Sequence, residues 1–365
     1  LIQQIDADYG IFDGLTFKNK RWEDFLQRRK IVWPRLPSGA LKLDDDTFKE
    51  MALIHPIVTP IREARRCLSQ LRLKDFACGA DGRHRCMLSP FGSKTGRNQP
   101  STSKFIFGGA VWVRNLITPA TGTALAYVDY AQQEFGIAAA LSGDTNMMDA
   151  YQSGDPYLKF AVMAGAVPVG ATKESNAGDR ELFKTCALGV QYGMQANSLA
   201  LRINSTPAHA RELIDLHRRT FPRYWSWSDM VQDSAMLNSK LTATFGWEVH
   251  VTETANPRSL RNFPLQANGA EMLRIACILA RERGVEVCAP VHDALLIEAP
   301  AHEIDTAVAT CRCSMEDAAT VVLDGFRLRT EARVIEPGQR FDDPRGRRMW
   351  DMISSLLTNH DEIAA

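Results

Sequence analysis

Two apolar runs, each meeting an aspartate, constrain this chain more than any other feature: LAYVD at 125–129 and VEVCAPVHDALLIEAP at 285–300. Both are short, rich in Val, Leu, Ile and Ala, and bounded by turn-forming residues, which predicts buried strands rather than helices. The second run breaks at Pro290–Asp293, so it reads as two strands joined by a tight turn. Asp129 and Asp293 lie 164 residues apart, yet one sheet can bring them together. Each alone has an ordinary explanation, Asp129 as a helix N-cap and Asp293 as a turn residue. Together they would form a hard, oxygen-rich site for divalent cations, and two such ions ~3.5–4 Å apart suit in-line phosphoryl displacement.

The rest of the chain organises around these runs. Residues 1–50 predict short helices and loops, and 60–75 an amphipathic basic helix with Ile61, Ala64, Cys67, Leu68 and Leu71 at helical spacing. The stretch 80–108 is rich in Gly, Ser, Pro and Asn and predicts an irregular loop region. Helices are expected over 132–141, 180–192 and 264–283, and one long helical stretch over 207–240. No apolar run approaches the ~20 residues needed to cross a bilayer, and no leader pattern opens the sequence. The eight cysteines form no CxxC pair, and scattered cysteines of this kind predict reduced core residues.

Net charge is zero, but residues 61–115 carry eleven Lys/Arg against three acids. That segment reads either as a solvated basic face or as a phosphate-backbone contact surface. A further stripe follows from Arg180, Lys184, Leu188 and Tyr192, because steps of four advance only slightly around a helix axis. Two cations followed by an apolar and an aromatic residue match a nucleoside triphosphate, though an ordinary amphipathic helix would carry the same pattern.

At these motifs the sequence closely resembles the polymerase I family of DNA polymerases, family A. The family's D-Y-S-Q-I-E-L-R stands here as DYAQQEFG at 129–136, and its R-x3-K-x3-F-G-x2-Y-G as RELFKTCALGVQYG at 180–193. Its V-H-D-E stands as VHDA at 291–294, its R-x3-N-x-P-x-Q-G segment as RSLRNFPLQANGAE at 258–271, and its TGR at 95–97. The resemblance runs from about residue 90 to 345, in order.

This resemblance implies an α+β right-hand fold with an antiparallel palm, mostly helical fingers and a reduced or truncated thumb. The expected division is 1–80 N-terminal helical region, 81–145 and 251–345 palm, 146–250 fingers and 346–365 C-terminal helical tail. It implies a DNA-directed DNA polymerase that binds primer–template DNA and dNTPs and uses two Mg²⁺ ions, with Mn²⁺ able to substitute. Asp129, Asp293 and the backbone carbonyl of Tyr130 would hold the ions. Arg180 and Lys184 would grip the triphosphate, Lys184 also protonating the pyrophosphate. Leu188, Tyr192, Gln132 and Tyr157 would complete the dNTP site, and Glu134 would be the gate against a 2′-hydroxyl. Arg97, Arg114, Arg258, Asn262, Gln266, His292 and Gly193 would contact DNA, Gly193 also letting the helix hinge.

The departures are Ala294 in place of the family's acid, Leu188 in place of an aromatic residue, Tyr157 in place of a His, and Gln133 in place of an apolar residue. Beginning at Leu1, the sequence is expected to be a fragment. Only 128 residues precede Asp129, against the roughly 150 that an exonuclease domain needs. Asp6 and Asp8 read as loop acids, so no proofreading is expected of this chain. Also expected are a monomer, no membrane association, replication proteins as further partners, and a place in the cytoplasm of a bacterium or of a phage's or plasmid's host. A single-subunit RNA polymerase, an idle DNA-binding palm and a metal-dependent nuclease are the competing readings.

Overall fold

The computed structural model describes residues 2–70, 76–100 and 104–364. The chain forms two compact units, one of Leu1–Met87, Pro100–Asn115 and Asp342–Ala365, the other of Leu88–Gln99 and Leu116–Phe341.

The first unit is built from helices α1 (Ile2–Tyr9), α2 (Asn19–Arg28), α3 (Asp45–Ile54) and α4 (Thr59–Gln70), with a ribbon of β1 (Phe12–Asp13) and β2 (Thr16–Phe17). Its core is aromatic: Trp22 stacks on Phe25 and Phe48, and Trp33 meets Trp22 edge-on. Asp6 and Asp8 belong to α1 rather than to a loop. One Asp6 carboxylate oxygen accepts the N–H groups of Ile11 and Phe12 at 2.6 and 2.7 Å, fixing the turn after the helix. The predicted helix over 60–75 is present as α4, with Ile61 and Ala64 buried; residues 71–75 lie outside the described residues.

The second unit centres on a four-stranded antiparallel sheet. Short strands β3 (Leu88–Ser89) and β4 (Gln99–Pro100) come first, then β5 (Thr123–Tyr130), an inner strand of that sheet. Helices α5 (Gln133–Ser142), α6 (Thr145–Gln152), α7 (Pro156–Met163), α8 (Ala177–Gln191), α9 (Ala196–Arg202), α10 (Pro207–Thr220) and α11 (Pro222–Asn238) follow. After a small hairpin of β6 (Lys240–Thr242) and β7 (Glu248–His250) come α12 (Pro257–Glu282), β8 (Glu286–Val291), β9 (Ala294–Pro300), α13 (Ile304–Val322) and β10 (Thr330–Ile335). The sheet order is β10-β5-β9-β8. The expected α+β architecture is therefore present. No helix among the described residues is long and apolar enough to cross a membrane.

Strand alternation sets which side of the sheet holds the chemistry. Ala124, Ala126, Val128 and Tyr130 are buried on one face of β5, and the Tyr130 hydroxyl donates to the carbonyl of Met315 on α13. The opposite parity, Tyr127 and Asp129, faces away from α13, and Tyr127 packs edge-on against Phe341. Asp129 is thus turned out of the main core.

Two expectations need correction. The stretch over 207–240 is two helices, because Pro222 starts α11 at a position where its missing N–H costs nothing. The Asp144 carboxylate completes that break: one oxygen caps α6 through Met147 N–H, the other accepts Arg223 and Tyr224 N–H at 2.9 and 3.1 Å. The helix expected from Pro264 begins at Pro257 instead, capped by the Asn256 side chain, so Pro264 sits inside it. The Asn268 amide donates to the Pro264 carbonyl within this helix.

Helix α5 crosses the core closely. A methyl added at Gly136 would collide with Leu328 Cδ2 and stand 3.0 Å from Tyr151 Cε2, both residues being fully buried or nearly so. Gly136→Ala should therefore lower stability by roughly 1–2 kcal/mol, overpacking outweighing the gain in helix propensity. Thermal unfolding checks this; a raised melting temperature would show that Leu328 gives way freely.

Candidate active site

Val291 pairs with Ala294, so β8 and β9 are joined by the two residues His292 and Asp293 alone. His292 takes φ +57°, and Gln132, the residue before α5, takes φ +47°. Non-glycine residues in this region carry strain of the sort concentrated at working sites. Both line one cleft of about 460 Å³.

The same register puts the two aspartates together. Asp129 pairs across the sheet with Ala294, and the Tyr130 N–H donates to the Asp293 carbonyl. The strand continues through Tyr130 and the helix starts at Gln133, so Asp129 is not an N-cap. Its Oδ1 is buried without a partner. Burial first, then the charges of Asp293 and Glu331, pushes the Asp129 carboxyl up to about 7. Asp293 is also raised, by burial, while Arg97 and His292 pull it back. Two neighbouring carboxyls, both raised by burial and one with an unsatisfied oxygen, fit a hard divalent cation. Among the described residues, no three His, Cys, Asp or Glu side chains converge closely enough to hold an ion unaided.

The opposite wall is α8. Arg180, Lys184 and Leu188 line the cleft, while Phe183, Cys186, Ala187 and Val190 are buried on its other side. Arg180 Nε donates to Asp155, whose other carboxylate oxygen caps α7, and its guanidinium lies 5.8 Å from the Tyr157 ring centroid. Burial raises the Tyr157 hydroxyl to about 12, so it stays a donor at neutral pH. Lys184 Nζ is 3.5 Å from Glu181.

Tyr192 ends α8 and Gly193 follows at φ +68°. The N–H of Gly193 reaches the Val190 carbonyl and that of Met194 the Gly189 carbonyl, both at 2.8 Å, which is a Schellman termination. A Cβ at Gly193 would stand 2.8 Å from Arg258 Cγ, so the glycine also permits the approach of α12. Burial and the neighbouring Glu134 carboxylate push the Tyr192 hydroxyl up, and Arg97 stands 3.6 Å from the same carboxylate.

Arg97 is placed by residues to which the sequence reading gave no role. Phe91 and Trp247 stack at 5.1 Å, the Trp247 indole donates to the Lys94 carbonyl, and Arg274 donates to the Gly96 carbonyl. Arg329 was also missed; it ties Gln132 to the carbonyls of Tyr151 and Gly154. Neither role has a local sequence signal, since each depends on contacts from distant segments.

The cleft therefore gathers Asp129, Asp293, Tyr130, Gln132, Glu134, Tyr157, Arg180, Lys184, Leu188, Tyr192, His292 and Arg97. Arg258, Asn262 and Gln266 do not line it but form one stripe on α12 at steps of four. Arg114 is a different case. It belongs to the first unit, ion-pairs with Asp343 at 2.9 Å and donates to the Phe107 carbonyl, so its guanidinium is spent within the fold. Other cations of the 61–115 segment are also paired internally, Arg62 with Asp45 and Arg85 with Asp81. That segment is less basic in effect than its composition suggests.

Comparison with known proteins adds an independent finding. The sequence model of DNA polymerase family A matches residues 36–334. The thermostable DNA polymerase I of Thermus thermophilus is 28% identical over 220 residues, 56% of this chain and 26% of that protein. DNA polymerase I of Chloroflexus aurantiacus is 26% identical over 345 residues, 86% of this chain and 36% of that protein. The DNA polymerase of Mycobacterium phage L5 is 26% identical over 215 residues, 58% of this chain and 34% of that protein. The chain thus spans about a quarter to a third of these relatives' length. Among solved structures, the POL domain of Pol1 from M. smegmatis, in complex with DNA primer–template and dNTP, superposes with a TM-score of 0.75 at 20% identity. It is matched over 92% of this chain and 63% of its own.

Proposed function

Because this chain belongs to DNA polymerase family A, we propose that it is a template-directed DNA polymerase that adds deoxynucleotides to a primer 3′ end. The observation that carries this is the pairing, across one cleft, of a buried two-aspartate centre with a cationic helix stripe. On this reading the four-stranded sheet with α12 and α13 is the palm, and α8 to α11 belong to the fingers.

Each residue then has a task set by its chemistry. Arg180 and Lys184 neutralise the triphosphate, and Lys184 gives its proton to the departing pyrophosphate. Arg180 leaves Asp155 for the stronger phosphate charge, and the protonated Tyr157 hydroxyl donates to a phosphate oxygen. Leu188 and Tyr192 cover the sugar and base, while Gln132, anchored by Arg329, borders the same nucleotide. Glu134, held between Tyr192 and Arg97, fills the space that a 2′-hydroxyl would need. Arg97, Arg258, Asn262 and Gln266 contact primer–template DNA by shape, and His292 touches the primer terminus. Asp129 and Asp293, with the Tyr130 carbonyl, would hold two Mg²⁺ ions, which would supply charge stabilisation to the in-line displacement. Mn²⁺ meets the same oxygen donors.

The reading assigns this chain no proofreading. The Asp6 oxygen that faces its turn is occupied by two backbone N–H groups, which leaves it a structural acid. Primer extension with the purified chain, Mg²⁺ and four dNTPs is the test. Template-specified extension is expected, with a mismatched 3′ end left uncut. A chain that binds primer–template but adds nothing would be an idle palm, and the proposal would fall.

A further inference from the structure

The row across the sheet at the active site reads Glu331–Asp129–Ala294 on β10, β5 and β9. Directly opposed residues of antiparallel strands project on the same face, with Cβ atoms ~4.5–5.5 Å apart. On the β9 side the row passes through Ala294, fully buried, to Val291 of β8 and carries no acid, so the second carboxylate comes from Asp293 in the turn. On the β10 side it ends in Glu331, whose carboxylate is exposed and has no ion pair or hydrogen bond among the described residues. The next cation on that face, Arg333, is turned to the Phe341 ring.

A bland explanation exists. β10 is an edge strand, and a charge on an edge strand blocks pairing with another chain. That role needs no particular face. Glu331 instead stands directly across from Asp129, on the same face of the sheet. Asp129 Oδ1, in the same row, is buried and unpartnered. A carboxylate set directly across from Asp129, whose own Oδ1 lacks a partner, is a place where a cation relieves the crowding of charge.

We infer that Glu331 is a third carboxylate of the metal centre, acting on the hydrated divalent cation from the β10 side, opposite Asp293. The inference rests on the metal-dependent reading of the site given above. Because no three such side chains among the described residues converge to direct coordinating distance, Glu331 works through the cation's water shell, which Mg²⁺ and Mn²⁺ retain. It is a positioning residue.

Calorimetric titration of the metal-free chain with Mn²⁺ alone tests this without reference to catalysis. Glu331→Gln should weaken Mn²⁺ binding by about tenfold, the low end for outer partners of a metal site, and Glu331→Asp should recover most of the loss. Wild-type affinity in Glu331→Gln, with binding lost in Asp129→Asn, would overturn the role of Glu331 and leave the two-aspartate centre standing. Wild-type affinity in Asp129→Asn as well would overturn the metal reading itself. Self-association of Glu331→Gln by sedimentation, with unchanged Mn²⁺ affinity, would identify an edge guard and also refute the inference.

Discussion

Asp293→Asn is expected to lower primer extension by on the order of a thousandfold or more, because it removes one of the two carboxylates facing the cation site. The same substitution should stabilise the metal-free fold above neutral pH. Asp129 has its carboxyl raised from 3.8 to about 7, partly by Asp293. The folded state therefore holds a proton that the unfolded chain has released between those two values. Metal-free stability falls as pH rises through that window and stays low above it. An amide at 293 removes one source of the repulsion, so the variant's melting temperature should fall less from pH 5 to pH 8. The recovery at pH 8 is on the order of 1–2 kcal/mol. Mg²⁺ should offset the repulsion in wild type and do so weakly in the variant. If Asp293→Asn extends primers as wild type does, or melts lower at pH 8 without metal, the assignment of this pair is wrong.

Glu134→Ala is expected to raise ribonucleotide use relative to deoxynucleotide use by on the order of a hundredfold, since a gate made by steric exclusion is lost with the side chain. Glu134 also neighbours the Tyr192 hydroxyl and faces Arg97, so the substitution removes a charge beside both. Tyr192→Phe separates the two effects. It keeps the ring against the nucleotide and keeps the carboxylate, but it removes the hydroxyl that stands beside the carboxylate. Single-nucleotide insertion with paired rNTP and dNTP substrates reads the ratio directly. An unchanged ratio in Glu134→Ala removes the gate assignment and reopens the RNA polymerase reading.

What could be seen in the sequence was whatever depends on a short period. The β5 run, the hairpin at 291–294 and the stripe of Arg180, Lys184 and Leu188 all declare themselves within a dozen residues. Even there a boundary misled: Pro264 read as a helix start, but Pro257 with Asn256 before it supplies the cap. The break before Pro222 was legible in principle, because a proline disfavours helix at the residue before it. Register was not legible. Nothing near Glu331 says that it lies opposite Asp129, since that pairing joins strands two hundred residues apart in the chain. The same holds for Phe91, Trp247 and Arg274, which place Arg97 by contacts from three separate segments. Nor did composition show that Arg114 pairs with Asp343, more than two hundred residues on.

The Asp144 carboxylate, almost wholly buried, serves the first turns of α6 and α11 at once, one oxygen to each. Two levers bolted to one pin cannot swing independently. Asp144→Ala would therefore strip the side-chain acceptor from the first turns of α6 and α11 in one step.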